Sequence, residues 1–347
     1  MTNATAVPTR DDAPALLIED LVVGFGADGA RRALNSVSLR IEPGEVVALV
    51  GESGCGKSLT GLSVMGLLPP EAHTLGGRIT VAGADIVGTS ERRLRQHRGE
   101  KMAMVFQDAL IALNPLQSVG RQIDETLRIH RRRMNRAARR ERVLEILRLI
   151  GVPDPESRMT ALPHELSGGL RQRVMIAMAL VADPALIVAD EPTTALDVTI
   201  QAQILEAFAD ATRALGTAVL FITHDMGVVA EIADRVIVMY GGRVVETGDV
   251  DSIFARPAHP YTQALLRSVP RPDTPVGTEL HVTPGSVPSP GEAPAGCPFH
   301  PRCPVSDARC LTMPAMTSRG GSNTVACWNP VDGGTPPETA ADETETR

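Results

Sequence analysis

One eight-residue segment, GESGCGKS at Gly51–Ser58, constrains the fold of this chain more than any other. It matches the pattern GxxxxGK[ST], in which glycines let successive backbone N–H groups turn inward toward a phosphate. The β-branched run Val46–Val50 precedes it, and a helical pattern follows with an apolar face formed by Leu59, Leu62 and Met65. A strand, a glycine-rich loop and a helix in this order place a phosphate at the helix N-terminus. The segment therefore predicts a nucleotide phosphate site in an α/β fold.

Within this segment, Lys57 is expected to reach the terminal phosphates, and the Ser58 hydroxyl is placed to bind Mg²⁺. Cys55 fills a variable position of the pattern, and no chemistry is expected of it beyond oxidation. The residues predicted to contact ATP here are Gly51, Glu52, Ser53, Gly54, Cys55, Gly56, Lys57, Ser58 and Leu59.

Short apolar runs predict the strands of this fold, and helical patterns lie between them. The runs are Leu16–Ile18, Leu21–Phe25, Val46–Val50, Met102–Phe106, Ala185–Ala189, Ala218–Ile222 and Arg235–Met239. Such alternation favours an α/β core with a parallel sheet. Residues 116–180 lack this alternation of strands and helices. Within them, Glu141–Ile150 carries apolar residues at helical spacing, so we predict that residues 116–180 form a helical subdomain inserted into the α/β core.

The run that ends at Asp190 and Glu191 predicts the second half of the nucleotide site. We expect Asp190 to hold Mg²⁺ through water and Glu191 to polarise the attacking water. Strands often end in acidic residues, so the pattern becomes specific only through its pairing with the phosphate loop upstream.

The segment LSGGLRQR at residues 166–173 resembles the signature motif of ABC-type ATPases. The resemblance implies that Ser167, Gly168, Gly169 and Leu170 contact ATP held by a second nucleotide-binding domain. Leu170 departs from the residue that is commonest at this position, Gln. Because the chain has one phosphate loop and one signature motif, the resemblance implies that a second chain completes each site.

Four other features of that family stand in order around the signature motif. Gln107, in MVFQD, resembles the Q-loop residue that touches Mg²⁺, and Thr194–Asp197 resembles the D-loop. His224, in FITHD, resembles the switch histidine that contacts the γ-phosphate and fixes the catalytic carboxylate and the water. Phe25 stands where the family has an aromatic residue stacked on adenine. For His224 and Phe25, ordinary burial in the core remains an alternative.

Details outside these motifs resemble the importers of peptides and nickel. The segment RPAHPYTQALL at residues 256–266 resembles their HPYT segment, and GCPFHPRC resembles their C-terminal cysteine region. We predict an ABC ATPase domain at residues 15–255, a C-terminal extension at 256–328 and a disordered tail at 329–347. The resemblance implies an ATP-hydrolysing subunit that lies peripherally on the cytoplasmic face of the cell membrane. Its implied partners are a second ABC ATPase subunit, two permease subunits and, indirectly, a substrate-binding protein.

Composition narrows the class of protein further. The net charge of −7 and an aromatic share of 3% argue against a nucleic-acid binder, which would be basic and would stack bases on aromatic rings. The longest apolar run, residues 174–182, is far shorter than the roughly 20 residues of a membrane-spanning helix. The first residues lack the apolar core of a signal peptide. The alternatives are a soluble ABC ATPase acting in translation or DNA repair and a cluster-dependent regulatory protein.

Four of the five cysteines and 16 of the 27 prolines follow Arg256. In a reducing compartment such a cysteine group indicates a metal rather than disulfides. Five, six and sixteen residues separate Cys297, Cys303, Cys310 and Cys327, without the CxxC spacing of a zinc ribbon. Four thiolates in a loop-rich segment can hold a [4Fe–4S] cluster, which the resemblance supports, while zinc and metal-free thiols remain alternatives.

Seven arginines lie between Arg131 and Arg142, ahead of the predicted helix in the insertion. Such a run is most often a solvated helix face, and a membrane-surface or nucleic-acid patch is the alternative.

Overall fold

The computed structural model describes residues 13–26, 29–194, 196–269 and 283–331. Its strands are Leu16–Phe25 (β1), Arg31–Ile41 (β2), Val46–Val50 (β3), Ala72–Val81 (β4), Ala84–Asp85 (β5), Met102–Val105 (β6), Leu186–Asp190 (β7), Ala218–Ile222 (β8), Arg235–Tyr240 (β9), Arg243–Asp249 (β10), Thr317–Ser318 (β11) and Thr324–Val325 (β12). Its α-helices are Lys57–Met65 (α1), Glu91–His97 (α2), Ala109–Ala112 (α3), Val119–His130 (α4), Arg136–Leu149 (α5), Pro155–Arg158 (α6), Gly168–Leu180 (α7), Val198–Leu215 (α8), Met226–Ile232 (α9), Val250–Ala255 (α10) and Pro260–Arg267 (α11). Ala195 of the D-loop motif and the predicted tail beyond residue 331 lie outside the described residues.

The larger sheet has the strand order β11-β12-β10-β9-β3-β8-β7-β6. Strands β9, β3, β8, β7 and β6 pair in parallel, as the alternation of apolar runs and helical patterns predicts. Their residues are almost entirely apolar and buried, because helices cover both faces of such a sheet. The carboxyl ends of β3, β7 and β8 meet at one edge, where an open α/β sheet binds its ligands.

A second sheet, antiparallel and not foreseen from the sequence, has the order β2-β1-β4-β5. Its strand β1 joins the two runs predicted as separate segments, Leu16–Ile18 and Leu21–Phe25. The pairing register shifts between them, and Asp20 adopts a left-handed conformation with φ 47°. A bulge of this kind bends a strand without ending it, so one strand looks like two in the sequence.

Helix α1 buries a different face from the predicted one. Of the three apolar positions, only Met65 is fully buried, while Leu59 and Leu62 are partly buried. The buried face is formed largely by small residues such as Gly61, where an added Cβ would lie 2.9 Å from Ile222 and 3.0 Å from Val188. Close packing on β7 and β8 therefore requires small side chains rather than leucines.

Helices α4, α5 and α7 share one apolar core with α8 and with strands β6, β7 and β8, and α5 contributes Val143, Ile146 and Leu147 to it. Asn135 begins α5, because its side-chain oxygen accepts a hydrogen bond from the Ala138 N–H at 2.9 Å. None of the described helices combines the length and the apolar composition that crossing a bilayer requires.

The arginine run before and within α5 is not a uniformly solvated face. Arg139 pairs with Asp124 at 2.6 Å, and Arg142 pairs with both Asp183 and Glu145. Both arginine side chains are largely buried, so these two residues connect the helical region internally.

The C-terminal extension continues the larger sheet. Strand β12 pairs with β10 through Glu246 with Val325 and Thr247 with Thr324. Phe299 of the extension is fully buried against Tyr240 of β9 and Tyr261 of α11. The segment thus shares a hydrophobic core with the end of the parallel sheet.

Candidate nucleotide site

The loop Gly51–Ser58 joins β3 to α1 in a conformation that its glycines permit. Gly51, Gly54 and Gly56 have φ values of 151°, 81° and 107°, a region that side chains with a Cβ rarely adopt. Lys57 is buried, and its Nζ donates to the carbonyl oxygens of Gly51 at 2.7 Å and of Glu52 at 3.0 Å. The loop itself therefore holds the ammonium group at the N-terminus of α1.

Ser58 and Asp190 join the phosphate loop to the end of β7. The Ser58 hydroxyl donates to Asp190 Oδ1 at 3.0 Å. Burial raises the pKa of Asp190, although the hydrogen bond from Ser58 opposes this shift. A hydroxyl and a carboxylate are oxygen ligands of the kind that Mg²⁺ prefers, so this pair fits the predicted ion.

Glu191 follows β7 directly, and three side chains hold its carboxylate. Its Oε1 lies 3.0 Å from His224 Nδ1, while Oε2 accepts from Thr194 Oγ1 at 3.0 Å and from Gln107 Nε2 at 3.3 Å. Burial alone would raise its pKa, but the hydrogen bonds from His224 and Thr194 outweigh it and leave the pKa below its usual range. The carboxylate is therefore ionised at neutral pH and ready to accept a proton or orient a water.

The backbone of Glu191 is strained, with φ 47° in a residue other than glycine. Its N–H donates to the Ile222 carbonyl at 2.9 Å, which fixes this turn against the end of β8. The neighbouring strand thus helps to aim the side chain.

The two aromatic candidates differ in exposure. The His224 side chain is 61% exposed and contacts Glu191, which excludes burial in the core. Phe25 is half-buried at the end of β1 and packs on the core of the antiparallel sheet, so its stacking on adenine stays a prediction.

The signature residues lie at the start of α7, which begins at Gly168. The Ser167 hydroxyl caps the helix by accepting from the Leu170 N–H at 3.4 Å, and Leu170 is half-buried against the helical core. Asp197 caps the neighbouring helix α8 through the Ile200 N–H at 3.0 Å. Within the part of the chain that the structure describes, no hydrogen bond or ion pair joins the signature residues to the phosphate loop.

Besides the hydrogen bond from Gln107, the sequence did not predict the supporting contacts of Thr194 and Gln172 around Glu191. Thr194 belongs to the D-loop motif, but nothing in that motif indicated its hydrogen bond to the carboxylate. Gln172 of α7 is buried, and its Nε2 donates to the Pro192 carbonyl. The sequence indicated a role for Gln172 only through its position in the signature segment. In the structure it connects α7 to the loop that follows Glu191.

The four cysteines of the extension line one small cavity, and all four are free thiols. Burial, reinforced by the charges of neighbouring thiols, raises the pKa of Cys303 to about 11 and that of Cys327 to about 12. Among the described residues, no three His, Cys, Asp or Glu side chains are arranged to hold a single metal ion.

His259 also lines this cavity, and its protonation is fixed by its surroundings. Burial lowers its pKa to about 3, so the ring is neutral. Its Nδ1 accepts from the Tyr261 N–H at 3.0 Å, which leaves the proton on Nε2. That buried nitrogen has no hydrogen-bond partner among the described residues.

Comparison with known proteins decides the family. The chain is 50% identical over 314 residues to "Probable peptide ABC transporter ATP-binding protein y4tR" of Sinorhizobium fredii, covering 90% of this chain and 93% of the relative. The chain belongs to the ABC transporter family. The model of the ABC transporter family matches residues 34–194 of this ABC ATPase, and that of the oligopeptide/dipeptide transporter C-terminal region matches residues 245–310.

Further relatives agree with this membership. The chain is 48% identical over 316 residues to "Dipeptide transport ATP-binding protein DppD" of Bacillus subtilis, covering 90% and 94% of the two chains. Among solved structures, cbiO1 of Clostridium perfringens aligns with a TM-score of 0.61 and 29% identity, over 70% of this chain and 91% of that one. The cassette MJ0796 bound to ADP and Pi aligns with a TM-score of 0.59 and 28% identity, over 68% and 98%. The predicted ABC ATPase fold is confirmed, and a role in translation or DNA repair has no support among these relatives.

Proposed function

We propose that this ABC ATPase hydrolyses ATP to power the import of peptides, as a peripheral subunit on the cytoplasmic face of the cell membrane. The observation that carries the proposal is the Glu191 carboxylate, held by His224, Thr194 and Gln107 at the sheet edge that also bears the phosphate loop. The names of the relatives, which concern peptide and dipeptide transport, support peptides as the cargo.

Each group at this edge has a distinct task. Lys57 neutralises charge on the terminal phosphates, and Glu191 orients and polarises the attacking water. His224 holds the carboxylate and reaches toward the γ-phosphate. Ser58, Asp190 and Gln107 would hold Mg²⁺, which supplies further positive charge to the phosphates when it is bound.

The signature motif acts on the ATP of a second ABC ATPase subunit, either a copy of this chain or a paralogue. Ser167 and Gly168 are exposed at the N-terminus of α7, which offers backbone N–H groups and a positive helix end to an anion. Because these residues have no contact with the chain's own phosphate loop among the described residues, a partner must bring its phosphate to them.

Isolation of the intact assembly tests the proposed partners. We expect an affinity-tagged chain, extracted from its native membrane in mild detergent, to carry two permease subunits and a second ABC ATPase subunit. Mass spectrometry identifies the bound proteins, and labelled-peptide uptake by the reconstituted assembly, with and without ATP, tests the cargo. Recovery with ribosomal or DNA-repair proteins alone would contradict the proposal, as would reconstituted vesicles that take up no peptide.

We further infer that Cys297, Cys303, Cys310 and Cys327 hold a [4Fe–4S] cluster that fastens the extension, with zinc as the alternative. All four thiols line one cavity, which fits a soft, thiolate-bound group. The Nε2–H of His259, which has no hydrogen-bond partner in the part of the chain that the structure describes, lines the same cavity and could donate to a thiolate or a sulfide. The role is structural, because a bound metal contributes directly to the folding of a segment with little core of its own.

Metal analysis of the anaerobically purified chain tests this inference. We expect a brown protein with a broad visible absorption and about four iron atoms per chain, as the composition of such a cluster requires. Replacing the buried Cys310 by Ala should remove the iron and lower the melting temperature of the extension. Cys55→Ala is the matched control, since Cys55 is a buried free thiol outside the cavity, and it should retain the iron. A colourless preparation that contains zinc would contradict the cluster.

A further inference from the structure

The C-terminal extension contacts the phosphate loop through Arg302. The Arg302 Nη1 donates to Glu52 Oε2 at 2.8 Å and to the Tyr240 hydroxyl at 3.0 Å. The Arg302 side chain is only 8% exposed and the Glu52 side chain 29%, so this ion pair is partly shielded from solvent. Shielding makes its attraction stronger than that of an ion pair on the surface.

The position of Arg302 is fixed on its other side by the extension itself. Its Nε donates to the Pro284 carbonyl at 2.8 Å and its Nη2 to the Thr283 carbonyl at 3.1 Å. Its guanidinium carbon also lies 5.7 Å from the centre of the Tyr240 ring, within the range of a cation–π contact. All three guanidinium nitrogens therefore have hydrogen-bond partners. Two of them bond to the extension, and Nη1 bonds to Glu52 of the phosphate loop.

Glu52 is held a second time by α11. Its backbone N–H donates to the Tyr261 hydroxyl at 2.7 Å. The rings of Tyr240, Tyr261 and Phe299 pack against one another, with centroid distances of 4.6, 5.1 and 5.3 Å. Glu52 is thus tied to one aromatic cluster that the extension completes, directly by its backbone and through Arg302 by its side chain.

The carbonyl oxygen of Glu52 is in turn a contact of Lys57, whose Nζ lies 3.0 Å away. A movement of Glu52 therefore changes the position of the lysine that is expected to reach the phosphates. The contacts run from Arg302 through Glu52 to Lys57 without a gap.

We propose that Arg302 is a positioning residue for nucleotide binding, which holds Glu52 and thereby sets the shape of the phosphate loop. The inference rests on the proposed ATP-binding role of Gly51–Ser58. Arg302 closes a 3-10 turn between Cys297 and Cys303, so the folding of the cysteine segment determines whether this contact forms. The extension is in this way an integral part of the nucleotide site.

Three single variants and one control variant of the full chain test the proposal first. Arg302→Gln removes the charge that holds Glu52, while Arg302→Lys keeps it without the planar fork of donors. Glu52→Gln removes the opposite charge and leaves the contacts of Arg302 with Thr283 and Pro284 in place. The matched control is Arg213→Gln, which breaks an exposed ion pair with Asp210 on α8.

The readouts are the dissociation constant of a fluorescent ATP analogue with Mg²⁺, KM against kcat for ATP hydrolysis, and the iron content. We expect Arg302→Gln and Glu52→Gln each to raise the dissociation constant and KM about 10-fold, since each leaves a shielded charge without its partner. We expect kcat to change less than about 2-fold, because the groups around Glu191 are not altered. The control should bind and hydrolyse ATP as the unaltered chain does.

The double variant Arg302→Gln/Glu52→Gln distinguishes a direct contact from independent damage. If the contact acts as proposed, the double variant binds the analogue no more weakly than either single variant, because the charges are removed together. Arg302→Lys should recover part of the lost affinity. Unchanged affinity in Glu52→Gln, additive losses in the double variant, or no recovery with lysine would each overturn the proposal.

Two measurements separate this inference from those before it. Binding of the ATP analogue does not need hydrolysis. If the unaltered chain binds ATP without hydrolysing it, the proposed function is contradicted. The dissociation constants of the variants then still test the positioning role of Arg302. Iron content that stays constant in Glu52→Gln while affinity falls supports a direct effect on the loop. If affinity falls only in variants that also lose iron, the positioning role is overturned.

Discussion

Replacing Glu191 by Gln should abolish ATP hydrolysis while leaving ATP bound. Gln has almost the same shape and can still bond to His224 and Thr194, but it cannot accept a proton from water. A positioned general base contributes about 10²–10⁴-fold to rate, so we expect kcat to fall by at least about 100-fold. With hydrolysis blocked, Mg²⁺ and ATP should hold two ABC ATPase subunits in a closed dimer, which size-exclusion chromatography of the purified subunits detects.

The matched control is Glu206→Gln, on an exposed turn of α8, which should hydrolyse ATP at the original rate. Hydrolysis at the original rate in Glu191→Gln would refute the assignment of this carboxylate, and it would leave the fold and the family unaffected. Loss of ATP binding in this variant would also count against the assignment, because the water-polarising group is not expected to hold the nucleotide.

Replacing Gly51 by Ala should have the second large effect, through the shape of the phosphate loop. A Cβ at this position would lie 2.3 Å from the Met239 carbonyl oxygen and 2.8 Å from Cys55 Sγ, and φ is 151°. Because a backbone carbonyl at the end of β9 cannot move away easily, the loop must move instead. A displacement of about 1 Å at a binding site can reduce activity about 100-fold, and we expect a loss of that size in kcat/KM for ATP.

The comparison for this variant is Gly83→Ala, at a turn with φ 74° and no atom within 4 Å of the added Cβ. This variant should lose only the stability that a left-handed backbone costs a residue with a Cβ, about 1–2 kcal/mol, and its kcat/KM should be unchanged. Thermal unfolding of both variants shows whether Gly51→Ala loses more activity than its stability predicts. If kcat/KM in Gly51→Ala stays within twofold of the original value, close packing does not determine the loop shape.

Much of the nucleotide site was predictable because its motifs are local. Gly51–Ser58 specifies a turn, a charge and a hydroxyl within eight residues, and the structure places the turn after β3 and the charge and the hydroxyl on the first two residues of α1. The acids at the end of β7 were predictable for the same reason, since a buried strand followed by Asp190 and Glu191 needs no distant information to be recognised.

Contacts between segments far apart in the chain were not predictable in this way. Nothing near Glu52 indicates that Arg302 lies 2.8 Å from it, 250 residues further along. The buried face of α1 was mispredicted for a related reason, because the distance to β7 and β8 decides that Gly61 is buried and Leu62 is not. Hydrophobic patterning cannot specify such a distance.

The sequence by itself determined the ABC ATPase core, the identity of the groups around the nucleotide and the grouping of four cysteines. Each of these depends on residue types at short spacing, which local backbone geometry and chemistry are enough to interpret. Only the tertiary structure decided that Thr194 and Gln107 hold the Glu191 carboxylate and that the cysteine segment reaches the phosphate loop. The pairs Gln107–Glu191 and Arg302–Glu52 are far apart in the chain, and the second forms because burial of Tyr240, Tyr261 and Phe299 brings the extension against the end of the sheet.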